Sequence, residues 1–201
     1  MLEQVRELPA ADLDAQEYLD DFWRHSEQID DLWKLERIQS FQEPDEPSWV
    51  SMMNGDWDRA LALIEEKRAA SKHHVSVADG IDNRRVRVTE LPVTPYLQWE
   101  MHVLRIWAET GAQDIRVIDQ SGVGALEADG PLPEVVILGS SVMYETLYDA
   151  TGTHSGGRRI DDPDVIAACR NDLAGLYNTA EDMFSYFERE IAPLPPPDVG
   201  P

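Results

Sequence analysis

The sequence predicts a mixed α/β fold, with α+β as the alternative. The expected architecture is a single mixed sheet of about four to six strands flanked by helices, with a long C-terminal helix. Three observations carry this. RRVRVTEL (84–91) alternates Val86 and Val88 against Arg85 and Arg87, the period of a strand. The segment after it is apolar almost all round, with Leu97, Met101 and Leu104 in one row and Tyr96, Trp99, Val103 and Ile106 in another. That pattern predicts a central helix, begun by Thr94-Pro95 and ended at Gly111. DIRVID (114–119) then follows at once, and a strand–helix–strand unit with a short crossover predicts a parallel pair.

The remaining elements follow in chain order. Residues 1–11 read as a flexible lead-in and 12–191 as one α/β domain. Asp12 caps a helix with Leu13, Tyr18, Phe22 and Ile29 near helical spacing and an acidic outer face. LWKLERIQSF (32–41) changes period, placing Trp33, Leu35 and Arg37 on one side and Lys34, Glu36 and Ile38 on the other, as in a strand. The prolines of QEPDEPS favour a loop. Ser48 caps a helical region to about Lys72, broken at Gly55-Asp56 and recapped by Asp56, with Trp57, Leu61 and Ile64 as its apolar stripe. SKHHVSVADGIDN (71–83) reads as a loop. EVVIL (134–138) and VMYETLYD (142–149) read as a hairpin about Gly139-Ser140, with Tyr148 on one face of the second strand and Glu145 on the other. ATGTHSGG (150–157) reads as a flexible loop. Asp161-Asp162-Pro163 begins the last helix, whose inner stripe is Val165, Cys169, Leu173, Leu176, Met183 and Phe187. Residues 192–201 are a proline-rich tail expected to be disordered.

Charge narrows the partners. Asp and Glu number 39 against 17 Lys and Arg, a formal charge of −22. Such a chain repels nucleic-acid phosphates and anionic lipid, so neither direct nucleic-acid binding nor a membrane contact is expected. A basic or DNA-binding protein partner, or a cationic ligand, is electrostatically easier. The single cysteine, Cys169, cannot form an internal disulfide. MLEQVRELPAADLDAQ lacks the basic and apolar segments of a signal peptide, and no run approaches the ~18 apolar residues of a membrane span. The cytoplasm is the expected location; the oligomeric state is not legible.

Familiar catalytic patterns are not found. The five histidines (His25, His73, His74, His102 and His154) form no HExxH, and no CxxC is present. His154 with Ser155-Gly156-Gly157 lacks the phosphate-loop pattern, and no serine sits in a GxSxG elbow. No catalytic residue, metal or cofactor is therefore predicted. One constellation has chemical content. Arg85 and Arg87 share one side of a strand, Tyr96, Trp99 and Glu100 lie on the next helix, and Glu145 and Tyr148 lie on a later strand. Brought together, they would line a polar, ring-walled pocket in which the arginine forks grip the carboxylate or phosphate of a small ligand. The competing reading is that the arginines and glutamates simply pair with one another.

WKLERIQSFQEPDEPSW (33–49), GDWDRAL (55–61), RRVRVTELPVTPYLQWEMHVLR (84–105), LPEVVILG (132–139) and YETLYDATG (144–152) together resemble an uncharacterised actinobacterial family over about residues 30–190. Members are domains of unknown function, often encoded near helix-turn-helix regulators in Streptomyces-like genomes, which implies a regulatory role by association. The element order is also similar to the phospholipase-D-like fold, whose enzymes use a histidine nucleophile in H-x-K. Here His102 is followed by Val103 and Leu104, and no histidine has a lysine two places on. If that fold is shared, binding or sensing replaces catalysis. The leading expectation is a non-enzymatic acidic regulatory or protein-interaction module accompanying a DNA-binding regulator. The alternatives are an enzyme or sensor for a small anionic or phosphorylated ligand, and an antitoxin-like or nucleic-acid-mimicking inhibitor.

Overall fold

The computed structural model describes residues 1–27, 29–77 and 81–200, without the side chains of 69–77. Its centre is a parallel triplet: β2 (Asp31–Glu36), β3 (Asp82–Thr89) and β4 (Asp114–Asp119), preceded in the chain by β1 (Ala11–Asp14). Helices α2 (Pro47–Met53) and α3 (Trp57–Val77) join β2 to β3, and α4 (Pro95–Glu109) joins β3 to β4. α1 (Ala15–Ser26) lies before β2. The caps are local and polar. Thr94 Oγ1 accepts from Leu97 N at 3.0 Å, Gly111 ends α4 at φ 73°, and Gly55 turns at φ 78° before Asp56 accepts from Arg59 N at 3.0 Å. Glu46, rather than Ser48, caps α2, leaving Ser48 free to reach across to α4. The expected loop over 71–83 is helical to Val77; residues 78–80, and the side chains of His73 and His74, lie outside the described residues.

The rest of the sheet is antiparallel. β5 (Val135–Leu138) and β6 (Val142–Tyr148) form the expected hairpin, and β7 (His154–Ile160) and β1 extend it outward. α5 (Gln120–Val123) precedes the hairpin; α6 (Pro163–Thr179), β8 (Glu181–Asp182), α7 (Met183–Tyr186) and a π-helical turn (Phe187–Ile191) end the fold. The order is β1-β7-β6-β5-β2-β3-β4-β8, eight strands among the described residues rather than four to six.

The three additional strands come from segments read otherwise. The lead-in is a 3-10 turn (Leu2–Glu7) with Leu2 and Val5 fully buried, followed by β1, so Asp14 and not Asp12 caps α1. The glycine-rich stretch read as a loop is β7. Its glycines answer to close neighbours: a Cβ on Gly156, at φ 137°, would lie 2.2 Å from the Leu13 carbonyl oxygen, and one on Gly157 would lie 2.5 Å from the Tyr18 ring. The expected long C-terminal helix stops at Thr179, where β8 pairs Asp182 with Arg116. Its stripe is thereby divided between two cores, Cys169 and Leu173 in one, Met183 and Phe187 in another. The tail also packs: Gln98 Nε2 donates to the Pro195 carbonyl at 2.9 Å, and Val199 lies against the aromatic cluster of α4.

Strand alternation divides the interior. Trp33, Leu35, Val86, Val88, Val135 and Met143 pack on α6 and the N-terminal turn. The opposite parity of the parallel strands faces α4, where Ile115 and Val117 meet Leu97 and Leu104. Among the described residues no helix is long and apolar enough to cross a membrane.

Candidate functional site

A parallel strand covered by helices on both faces is ordinarily apolar throughout. β2 and β3 depart from that rule most strongly on the face beneath α4; on the other face charge is confined to their beginnings, as at Asp31 and Arg84. Lys34 and Glu36 alternate with Trp33 and Leu35, and in register beside them Arg85 and Arg87 alternate with Val86 and Val88. The four charged side chains thus project beneath α4. Lys34, Glu36 and Arg85 form one wall of a cavity of about 180 Å³, with α4, α3 and the loop before α2 as the others, and Arg87 lies behind that wall.

The charges hold one another. Arg87 is 0% exposed; its Nε donates to Glu100 Oε2 at 2.8 Å and its Nη1 to the Val88 carbonyl at 3.0 Å. Arg85 Nη1 donates to Glu36 Oε2 at 2.6 Å, while its guanidinium lies 5.2 Å from the Trp107 ring centre. Lys34 pairs with the other Glu36 oxygen, and Lys67 of α3 pairs with Glu46. Trp99 Nε1 donates to Ser48 Oγ at 3.1 Å, and Ser48 Oγ to Glu46 Oε1 at 2.8 Å, which ties α4 to the start of α2. The ring of Phe41 lies 4.5 Å from that of Tyr148 and 5.4 Å from that of Tyr96.

These surroundings set the protonation. Burial opposes the charge of Glu36, but Arg85, Lys34 and Arg87 together bring its pKa down to about 2. Glu100 goes the other way, raised by burial despite Arg87, with the nearby charge of Glu36 adding to the effect. Glu43 is raised by burial and then by Glu100. Burial raises the phenols of Tyr96 and Tyr148; Glu100 and then Glu36 add to the first, Glu134 and then Glu36 to the second. Behind the cavity wall, burial and Glu36 push Glu134 up to about 7.

The sequence pattern of a domain of unknown function, DUF6879, matches residues 17–188. The chain belongs to this family. No curated protein matches it. Among solved structures it is similar to TrmBL2, an archaeal chromatin protein, at 11% identity over 85% of this chain and 52% of that one, with a TM-score of 0.41. It thus spans about half the length of that protein. It is also similar to Nuc, a phospholipase D family member from Salmonella typhimurium, at 10% identity over 83% of this chain and 90% of that one, with a TM-score of 0.46. Neither score reaches the level of a shared fold, so neither assigns an activity.

Of the residues singled out from sequence, this DUF6879 member brings Arg85, Tyr96, Trp99, Glu100 and Tyr148 to the cavity. Arg87 lies behind it as the partner of Glu100. Glu145 is elsewhere: it sits on the α6 face of β6, accepts from Arg158 Nη1 at 2.7 Å and lies 3.4 Å from Arg6 Nε. Strand parity is the reason, because residues three apart in a strand point to opposite faces, so Glu145 and Tyr148 do not share a pocket.

Sequence reasoning missed Lys34, Glu36, Phe41, Glu43, Glu46, Lys67 and Trp107. For Lys34 and Glu36 a signal was present, namely charge on a strand that the element order places inside the sheet. The other potential reactive groups are structural. His102 lies edge-on to Trp57 and Phe187, and burial, then Arg105, brings it down to about 4. Cys169 is buried and pushed up to about 11. Among the described residues no three His, Cys, Asp or Glu side chains are grouped to hold a metal ion.

Proposed function

We propose that the chain is a non-enzymatic regulatory module that binds a small molecule in the cavity between β2, β3 and α4. The observation that carries this reading is the cavity itself, walled by rings and by charged side chains that, Glu43 apart, are held by partners. Binding sites are typically concave, largely apolar and pre-formed, with a few oriented polar groups. Its volume, below the roughly 300–1,000 Å³ of drug-sized sites, suits a ligand of few atoms.

The test is a thermal-shift panel of small amines, carboxylates and phosphates on the wild type and on Val103→Phe, which places a larger side chain in the cavity wall. At least one compound is expected to raise the wild-type Tm saturably and to leave the variant unmoved. A panel without effect on the wild type contradicts the reading.

A second reading, a contact with a basic protein partner, has one observation in its favour. Trp23 is 64% exposed and Leu19 43% exposed on the outer side of α1, one turn apart, with exposed Asp20 and Glu27 on the same side and exposed Arg24 adjoining. An apolar pair in an acidic field complements a basic, partly apolar surface. Cross-linking mass spectrometry after gentle isolation should place residues 16–27 against a lysine-rich segment, with the cross-links lost in Leu19→Ser/Trp23→Ser. Cross-links confined to other elements speak against it.

A further inference from the structure

We infer that the ligand of this cavity is a small organic cation, an amine or guanidine on a short apolar body, with Glu43 as its counter-ion. The inference rests on the binding reading above and reverses the sign of charge that the arginines suggested.

The partners of each charge decide the sign. Each of the three cations lining the cavity has a carboxylate partner: Lys34 and Arg85 occupy the two oxygens of Glu36, and Lys67 is held by Glu46, while Arg85 Nε is buried without a hydrogen-bond partner among the described residues. Arg87, behind the wall, is held by Glu100. Among the described residues Glu43 alone of the lining carboxylates has no lysine or arginine at ion-pair distance. It is also half-buried, where an unpaired carboxylate is costly. An entering anion would compete with Glu36 and Glu46 for the lining cations and add negative charge beside Glu43 and Glu100. A cation supplies Glu43 with a partner without breaking an existing pair.

The walls suit the rest of such a molecule. Phe41, Tyr96 and Trp99 offer ring surface to an aliphatic chain and π-faces to a cationic head. About 180 Å³ corresponds to roughly six water volumes, room for an amine of a few carbons. The formal charge of −22 draws cations toward the whole surface.

Calorimetric titration at low salt and pH 7.5 uses butylamine, butylguanidine, butanol, butyrate and inorganic phosphate as probes. The proteins are the wild type, Glu43→Gln, Val103→Phe and, as a control for general charge, Asp45→Asn on the same loop. The cations are expected to bind one-to-one. Glu43→Gln should weaken them about tenfold or more, the scale of one charge-assisted contact. Asp45→Asn should leave them unchanged and Val103→Phe should abolish them. Butyrate or phosphate binding more tightly than the amines, and lost in Val103→Phe, overturns the sign of charge while the cavity reading stands. Butanol matching butylamine, or cation binding indifferent to Glu43→Gln, likewise overturns the inference alone. Cation binding that survives Val103→Phe marks the acidic surface and overturns it as well. No binding by any probe, together with an unresponsive thermal-shift panel, removes both readings.

Discussion

Arg87→Met is expected to destabilise the fold by about 3–5 kcal/mol, the usual consequence of removing one partner from a buried ion pair. Arg87 is fully buried, and Glu100 accepts from it at 2.8 Å while sharing the same dry environment with Glu36. Methionine keeps the volume and removes the charge, which leaves Glu100 either ionised without its partner or protonated. The intact pair need not itself be a large source of stability, because desolvating two charges opposes their attraction. The double variant Arg87→Met/Glu100→Leu should therefore recover most of the loss. Urea unfolding of all four proteins in the cycle measures this coupling. Effects that simply add would show that the two side chains act independently.

The second large effect is on pH dependence. Glu134 Oε1 accepts from Arg37 N and Ile38 N, both at 2.6 Å, while Oε2 is buried with no partner among the described residues. Burial, then Glu36, raises it from 4.5 to about 7. In that interval the folded chain holds a proton that the unfolded chain has released, so stability falls as pH rises from about 4.5 through about 7. A displacement of this size corresponds to roughly 3 kcal/mol. Glu36 has the opposite sign: its folded value is depressed to about 2, so its contribution is present above about 4.5 and is lost as pH falls toward 2. Together they place maximal stability on the mildly acidic side of neutrality. Glu134→Gln keeps an acceptor for the two backbone N–H groups and should flatten the alkaline limb. Chemical denaturation at a series of pH values from 4 to 9 tests it; a variant with the wild-type slope would assign that limb to another group.

How far the sequence reveals this site depends on the kind of signal each element gives. β3, α4 and β4 were legible because a clean period of two, a capped apolar helix and a second period of two follow one another in the chain. Once α4 lies over β3, Arg85, Tyr96, Trp99 and Glu100 come together. β7 was illegible because glycine normally marks turns, whereas Gly156 and Gly157 are there to admit the Leu13 carbonyl and the Tyr18 ring. The Glu145 error was avoidable from the alternation of β6. Glu43 and Glu46 lie on a proline-marked loop, and nothing local indicates which face of the molecule such a loop will cover. The sign of charge preferred by the cavity was equally hidden, since it depends on which cation pairs with which carboxylate.

The most direct measurement is residue-resolved NMR during titration with butylamine, compared with butyrate. Amide shifts that saturate together and cluster on residues 34–46, 85 and 96–107 are expected for the amine. Shifts clustering instead at the opposite end of the parallel strands, around 29–31 and 139–141, or spread over the acidic surface of α1, would contradict the assignment of the cavity as the binding site.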